Sequence, residues 1–389
     1  MIQLLRSAVA ALEPDGLAVV LSRRTLSTAE KQEILRRVRF FAPTLANRTR
    51  FRTFVSPIDL LSSRPILTFG ERSMFSRLTR RVRCDGVFNI DYRRNHADGA
   101  EWLRLSRYLD RAPPTTAIAH ARLRQQVERL RSLRLNKCYI LGTGSSLARA
   151  LERDWSDGYR IVCNTIVRDQ ELWNHINPHF IVAADTIYHF GFTDFARAFR
   201  RDLATRLAET ETYFLYPDRF HVIVARELGE HADRLIPVPQ GQANTLILDM
   251  VDRFELSALG NILNILLLPL GCTLNRHVCL WGFDGRAPGD KLFWSNSPKH
   301  SYPELLDELV NAHPAFFEHF VPADRPTAYV EEVHGDGLDR RLSLAEEQGW
   351  TFEMMHNSWT PALQKRLATR NSTHGVVPPQ DGPREEGEK

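Results

Sequence analysis

The fold is decided by the stretch KCYILGTGSSL, residues 137–147. Its apolar, β-favouring residues end at a Gly-Thr-Gly turn, and two serines then open a segment with helical spacing, which predicts a strand, a tight turn and a helix. Glycine permits such a turn and lets a ligand approach the backbone, and the positive end of a serine-capped helix favours a phosphate. An ordinary turn without a ligand is the alternative. The stretch lacks the third glycine of a dinucleotide fingerprint and the Gly-Lys-Ser/Thr ending of an ATPase loop.

After residue 137, short apolar runs alternate with segments of helical spacing. This alternation predicts an α/β fold, with a Rossmann-like, mostly parallel sheet and helices on both of its faces. The predicted strands are 138–141, 159–163, 180–183, 212–215, 221–224, 235–238, 278–281 and 351–354, and the predicted helices are 147–154, 193–209, 257–270, 302–312 and 338–348. Ligands bind such sheets beyond the carboxyl ends of the strands, where strand order reverses. The residues that follow strands, and are therefore candidate site residues, are Gly142, Thr143, Gly144, Ser145, Asn164, Asp185, Gly282 and Asp284.

The first third of the chain is strongly basic. Residues 1–134 carry 26 Lys and Arg against 12 Asp and Glu, a balance of +14, whereas the whole chain has a net charge of only +4. Such a segment indicates an anionic partner, such as a lipid headgroup, a phosphorylated glycan or a nucleic acid, or else solvated helix faces that use arginine. We predict a short strand at 17–21, a helix capped by Ser27, a loop-rich segment at 61–100 and a helix at 117–133.

Three regions are predicted along the chain: a basic N-terminal α/β region at 1–130, a catalytic domain at 131–365 and a disordered tail at 366–389. No apolar run approaches the roughly 20 residues that a membrane span needs, and the N-terminus lacks the features of a signal peptide. A cytoplasmic protein is therefore expected. The five cysteines form no CxxC pair, which favours small buried side chains over a disulfide or zinc framework.

Four motifs, in order, resemble those of the bacterial CMP-sialic acid-dependent sialyltransferases and their relatives, the motility-accessory-factor glycosyltransferases and CMP-Kdo transferases. The motifs are ILGTGSSL (140–147) with VCN (162–164), VAAD (182–185), a helix from Gly260 to Leu270-Gly271 followed by WGFD (281–284), and His334 with Asp339 before a strand. The resemblance covers residues 137–360. It implies a sialyltransferase-like variant of the GT-A and GT-B glycosyltransferase folds, in which a nucleotide contacts Gly142, Thr143, Gly144, Ser145, Asn164, Gly260, Gly282 and Asp284.

The activity that this resemblance implies is transfer of a ulosonic acid, Kdo or sialic acid, from a CMP-sugar to a surface glycan or a lipid-linked acceptor. No cofactor and no metal are expected, since the chain has no Asp-x-Asp triplet to hold an ion on a nucleotide diphosphate. The basic first third would keep the enzyme at an anionic acceptor or, peripherally, at the inner membrane. No nucleic acid partner is expected, since no nucleic-acid-reading motif occurs.

Asp185 stands where the sialyltransferases carry Asn. A carboxylate there can act as the nucleophile of a retaining transfer, or it can cap the following turn or bind a sugar hydroxyl. His300 and His334 are the candidate general acids or bases, because both lie in polar segments and histidine titrates near neutrality. Two other functions stay open: an ATP-dependent, pterin pyrophosphokinase-like enzyme, and a module without enzymatic activity that binds a nucleotide or nucleic acid.

Overall fold

Two parallel β-sheets form the framework of the computed structural model, which describes residues 17–54, 59, 64–70, 86–110, 115–285, 298–320 and 334–368. The strands of the smaller sheet are β1 (Ala18–Ser22), β2 (Thr49–Arg52), β3 (Ile66–Phe69) and β4 (Val87–Asn89), in the order β2-β1-β3-β4. Those of the larger sheet are β5 (Cys138–Leu141), β6 (Tyr159–Cys163), β7 (Phe180–Val182), β8 (Tyr213–Pro217), β9 (Leu235–Val238), β10 (His277–Trp281) and β11 (Thr351–Met354).

The larger sheet has the order β11-β10-β5-β6-β7-β8-β9, and all of its pairings are parallel. Helices cover both of its faces, so the predicted α/β fold with a parallel sheet is confirmed. The α-helices are α1 (Thr28–Phe41), α2 (Asp98–Leu109), α3 (Thr116–Arg131), α4 (Gln170–Ile176), α5 (Asp194–Glu209), α6 (His221–Glu227), α7 (Leu268–Leu274), α8 (Leu306–Ala312), α9 (Pro314–Phe320), α10 (Asp336–Glu346) and α11 (Pro361–Gln364). None of them is both long enough and apolar enough to span a membrane.

The strand order reverses beside β5. From β5 the chain builds β6 to β9 outward on one side, and it then returns to place β10 and β11 on the other side. The turns that follow β5 and β10 are therefore neighbours at the carboxyl edge of the sheet, which is the position where open α/β sheets bind ligands. Because all these strands are parallel, the segments that lead into the crossover helices before β10 and β11 begin at this edge as well.

Three predicted elements differ in the structure. The run 221–224 is not a strand but the first turn of α6. This helix follows β8 after only a short 3₁₀ turn, Asp218–Phe220. The apolar side chains of Ile223 and Val224 are buried in it. The segment 61–100, predicted to be loop-rich, contains β3 and β4, although residues 71–85 lie outside the described residues. The helix predicted at 257–270 begins only at Leu263, with a π-helical turn before α7.

The π-helical turn has a local cause. Pro269, in the first turn of α7, has no backbone N–H, so the usual bond to the carbonyl four residues earlier cannot form. The start of the turn is capped by Asn261, whose side-chain oxygen accepts a hydrogen bond from the Asn264 backbone N–H (3.0 Å). Asn261 itself has a positive φ of 59°, a conformation that Asn tolerates better than most residues. The side chain of Asn261 therefore starts the helix that leads into β10.

The two sheets share a hydrophobic core. One buried cluster extends from Val20 and Phe88 of the smaller sheet to Leu141 and Phe214 of the larger one. Helix α3 belongs to a second cluster, on the opposite face of the larger sheet. Helix α3, which precedes the predicted boundary near residue 130, therefore packs against the larger sheet. At the other end, residues 366–368 are held to the larger sheet by ion pairs from Arg366 and a bridge at Leu367; the rest of the predicted tail lies outside the described residues.

A buried ionic cluster joins α1, α2 and the segment after α8. The guanidinium of Arg37 donates to Asp98 Oδ2 (2.8 Å) and to the Ala312 carbonyl (2.6 Å), and Asp98 also contacts His313 Nδ1 at 2.9 Å. The side chains of Arg37, Asp98 and His313 are at most 1% exposed. Breaking such a pair leaves a charge without a partner in the interior, which is strongly destabilising.

We expect Arg37→Ala to lower the free energy of unfolding by about 3–5 kcal/mol, because the buried Asp98 carboxylate loses its guanidinium partner and keeps only the contact with His313. Arg36→Ala on the same helix is the matched control, since Arg36 pairs with Glu308 at the surface, where such a pair contributes less than about 1 kcal/mol. Urea denaturation of both variants measures the difference. Equal losses would show that the cluster does not hold the two sheets together.

Candidate functional site

The turns after β5 and β10 are bonded to each other by their backbones. Gly142 donates its N–H to the Trp281 carbonyl (2.7 Å), and Gly144 donates to the Gly282 carbonyl (2.8 Å). A Cβ on Gly142 would lie 2.6 Å from the Gly282 oxygen, and Gly282 has a φ of +77°, which glycine adopts without strain. The sequence predicts that Gly142 and Gly144 make room for a ligand, but the turn at Gly282 occupies that room at Gly142, and the Asp284 carboxylate occupies it at Gly144.

Asp284 places its carboxylate at the start of the 3₁₀ helix Ser145–Glu152. It accepts hydrogen bonds from the Ser146 backbone N–H (3.1 Å) and hydroxyl (2.9 Å), and from the Ser145 hydroxyl (3.3 Å). A negative charge is favourable at the positive end of a helix. The start of this helix, where the sequence predicts a bound phosphate, is therefore partly occupied by the Asp284 carboxylate. Among the described residues, the backbone N–H groups of Thr143 and Ser145 have no acceptor, so they are available to a ligand.

His356 completes this cluster and was missed by the sequence analysis. Its Nε2 accepts the Gly282 backbone N–H (3.0 Å) and lies 2.8 Å from the Ser146 hydroxyl, while its Nδ1 lies 2.8 Å from the Asn357 carbonyl. Since a backbone N–H only donates, Nε2 carries no proton and Nδ1 does. Burial lowers the pKa of His356, which keeps the ring neutral. The signal was available, because His356 follows β11 as closely as Asp284 follows β10.

The arrangement of Ser146, His356 and Asp284 differs from that of a Ser-His-Asp catalytic triad. In such a triad the carboxylate accepts the proton of the second histidine nitrogen. Here the second nitrogen of His356 faces a backbone carbonyl, and the Asp284 carboxylate contacts the serine itself. The cluster therefore fixes the two turns and the Asp284 carboxylate, in an arrangement unlike that of the triad.

Asn164 and His300 lie at the carboxyl end of β6, next to β5. Asn164 is buried and has a positive φ of 54°, the same left-handed conformation that Asn261 adopts and that Asn tolerates better than most residues. The next residue, Thr165, donates its hydroxyl to the His300 carbonyl, and His300 Nε2 lies 3.2 Å from Asp169. The His300 side chain is only 1% exposed, and its Nδ1 has no partner among the described residues. Burial lowers the pKa of His300, although Asp169 acts in the opposite direction.

Asp185 shapes the loop after β7. Its Oδ1 accepts the backbone N–H groups of Ile187 (2.9 Å) and Tyr188 (3.0 Å), and its own N–H donates to His189 Nδ1 (3.2 Å). No described residue donates to Oδ2. Burial raises the pKa of the Asp185 carboxyl group, and the positive charge of Arg219 opposes that shift. One oxygen therefore holds the loop, and the other is available to a ligand.

Gly260 is linked to His334 through its neighbour Asn261. Gly260 precedes Asn261, whose side-chain amide lies 3.4 Å from His334 Nε2. Gly260 lies in the segment before α7, which precedes β10. His334 lies in the segment before α10, which precedes β11. Contacts among the described residues join Gly142, Gly144, Ser145, Gly282 and Asp284 into one cluster, with Thr143 in the same turn. Asn164 is linked to His300 through Thr165, Gly260 to His334 through Asn261, and Asp185 holds the loop after β7.

Comparisons of the chain with protein-family models, with curated protein sequences and with solved structures found no match. The chemistry of the site is therefore inferred from its own geometry.

The Asp185 loop depends on a neutral histidine. Burial, aided by Arg200, lowers the pKa of His189 to about 3 from an ordinary value near 6.5. In the folded protein this histidine stays neutral at pH values where it is protonated in the unfolded chain. Protonation therefore favours the unfolded chain, and the free energy of unfolding decreases as the pH falls below about 6.5. Between pH 7 and pH 5 the loss from one such histidine is about 2 kcal/mol.

We expect His189→Asn to reduce the loss of stability between pH 7 and pH 5 by about 2 kcal/mol. The asparagine side-chain oxygen can still accept the Asp185 N–H, which preserves the loop. Denaturation curves at the two pH values provide the measurement, and the same substitution at the exposed His175 is the control. An unchanged pH dependence in His189→Asn would refute the role assigned to the neutral ring.

Proposed function

We propose that this chain is a metal-independent glycosyltransferase that moves a ulosonic acid, Kdo or sialic acid, from a CMP-sugar to a surface-glycan or lipid-linked acceptor. The observation that carries the proposal is the position of two carboxylates along one edge of the larger sheet. Asp284 lies at the reversal of strand order, and Asp185 follows β7. β10 and β7 are three strand spacings apart, about 14 Å. A nucleotide bound at Asp284 would extend its sugar along the edge towards Asp185.

The Asp284 cluster fits a nucleoside monophosphate. A carboxylate held at a strand end is a suitable acceptor for ribose hydroxyls, as in other doubly wound sheets. The unpaired N–H groups of Thr143 and Ser145 would then donate to the phosphate. Because the Asp284 charge repels other anions, the singly charged phosphodiester of a CMP-sugar suits this cluster better than a diphosphate without a metal. Asn164, on the adjacent strand, would line the same edge.

Two roles for Asp185 are compatible with its contacts. In a retaining transfer, Oδ2 attacks the anomeric carbon and CMP leaves with the bonding electrons; an acceptor hydroxyl then displaces the carboxylate and gives up its proton. In the other role, the same oxygen accepts a sugar hydroxyl and only orients the donor. His334 and the buried His300 remain candidates for proton transfer, and the basic N-terminal third would face the anionic acceptor or a membrane surface.

A thermal-shift panel of CMP, UDP and ATP, each with and without Mg²⁺, tests the nucleotide. We expect CMP to raise the Tm without Mg²⁺, and Asp284→Asn to reduce the rise because it removes the negative charge and one of the two oxygens that can accept ribose hydroxyls. Asp233→Asn, at a side chain that is 78% exposed, is the matched control. Stabilisation only by ATP with Mg²⁺ would favour a pyrophosphokinase-like enzyme, and the absence of any nucleotide effect would contradict the proposal.

The role of Asp185 can be tested by measuring the rate at which CMP is released from CMP-Kdo and from CMP-sialic acid. This measurement does not require the acceptor to be known. If Asp185 is the nucleophile, Asp185→Asn should lower turnover by at least about 10³-fold, because no covalent intermediate can form, while CMP binding stays unchanged. Asp194→Asn, at an exposed helix start, is the control. Undiminished turnover in Asp185→Asn would exclude the nucleophile and leave the orienting role.

A further inference from the structure

Three side chains with metal-binding atoms meet on one face of β10 and β11. Cys279 pairs in register with Glu353 of the neighbouring strand, and His277 lies two residues before Cys279, on the same face. His277 Nε2 is 3.2 Å from Glu353 Oε2 and 3.5 Å from Cys279 Sγ, and all three ligand atoms lie within 4.8 Å of one another. The register of the parallel strands alone brings them together.

We propose that His277, Cys279 and Glu353 bind Zn²⁺. In a tetrahedral zinc site, the usual metal–ligand distances place a nitrogen and an oxygen ligand about 3.4 Å apart, and a nitrogen and a sulfur ligand about 3.6 Å apart. The two separations in this cluster agree with those values to about 0.2 Å. The two separations made by His277 therefore already match tetrahedral spacing, the third pair of ligand atoms lies within 4.8 Å, and a water molecule would take the fourth position.

The mixture of ligand types selects the class of cation. One imidazole, one thiolate and one carboxylate suit Zn²⁺, whereas Mg²⁺ and Ca²⁺ prefer several oxygen ligands. The His277 and Glu353 side chains are 37% and 26% exposed, and the Cys279 side chain is buried behind them. The cation would thus enter from the solvent side. As the zinc–sulfur bond forms, the Cys279 thiol releases its proton to solvent.

The charges around the cluster are nearly balanced. Lys137 and Arg153 both act electrostatically on Cys279 and Glu353. Lys137 is paired with Asp157 (3.2 Å), and Arg153 stacks over the rings of Tyr139 and Trp155. The Glu353 carboxylate and the Cys279 thiolate would supply the negative charge that attracts the cation. Without a cation, His277 and Glu353 form a cross-strand contact (3.2 Å) above a packed thiol, and the experiment must distinguish this arrangement from a zinc site.

The site is separate from the proposed nucleotide site. Cys279 lies three residues, about 10 Å, before Gly282 along β10. Zinc would act as a clamp, because β11 is the edge strand of the larger sheet and, among the described strands, pairs with β10 alone apart from the single bridge to Leu367. His356 follows β11 by two residues, so the clamp would also steady the strand that leads to the Asp284 cluster.

Zinc titration of the untagged, chelator-treated full chain, in competition with a chromophoric chelator, tests the proposal. We expect one Zn²⁺ per chain and at least about 10-fold weaker binding in His277→Ala and in Glu353→Gln, which alter half-exposed side chains and should fold. His175→Ala is the matched control at an exposed histidine. Zn²⁺ should also raise the Tm of the wild type but not of the two variants.

Cobalt(II) provides a second readout. A thiolate-to-cobalt absorption band should appear in the wild type and in Cys272→Ser, which alters a different buried thiol, and should be absent from Cys279→Ser. Equal zinc affinity in the wild type, His277→Ala and Glu353→Gln would overturn the proposal, as would the absence of the thiolate band in the wild type. Neither result depends on the nucleotide or on the proposed transferase activity.

Discussion

The hydrogen bonds between the turns after β5 and β10 are the constraint on which the candidate site depends. Two backbone bonds draw the glycine turn against Gly282, and the close approach leaves no room for a Cβ at Gly142. With the turns in contact, Asp284 reaches the N–H of Ser146, and the Gly282 N–H points at the neutral nitrogen of His356. Three strands that are distant in sequence thereby present one carboxylate at the start of a helix.

That carboxylate changes the kind of ligand the edge can bind. A bare helix start attracts any anion, but one that already carries Asp284 favours hydroxyl groups and repels a high negative charge. The sequence predicts a phosphate at the whole turn; among the described residues, only the N–H groups of Thr143 and Ser145 in this turn lack an acceptor. The buried cluster of Arg37, Asp98 and His313 acts at a larger scale, since it ties the basic N-terminal sheet to the sheet that carries these turns.

Much of the fold followed from local patterns, and the errors have physical causes. The run 221–224 has strand-like composition, yet it forms a helix because the chain must turn directly after β8. The helix before β10 starts late because Pro269 breaks the bonding pattern and Asn261 sets a new cap. His356 was overlooked, although the rule that selected Asp284 applies to it equally.

The sequence by itself determined the α/β class, the parallel larger sheet and the residues that end its strands, because apolar periodicity and turn chemistry act within a few neighbouring residues. Only the tertiary structure decided which strand ends meet, that Asp284 and not a phosphate holds the Ser146 N–H, and that His277, Cys279 and Glu353 converge. These outcomes depend on strand order and register. Both arise from contacts between residues that are, in some pairs, more than a hundred positions apart, so no short stretch of sequence determines them.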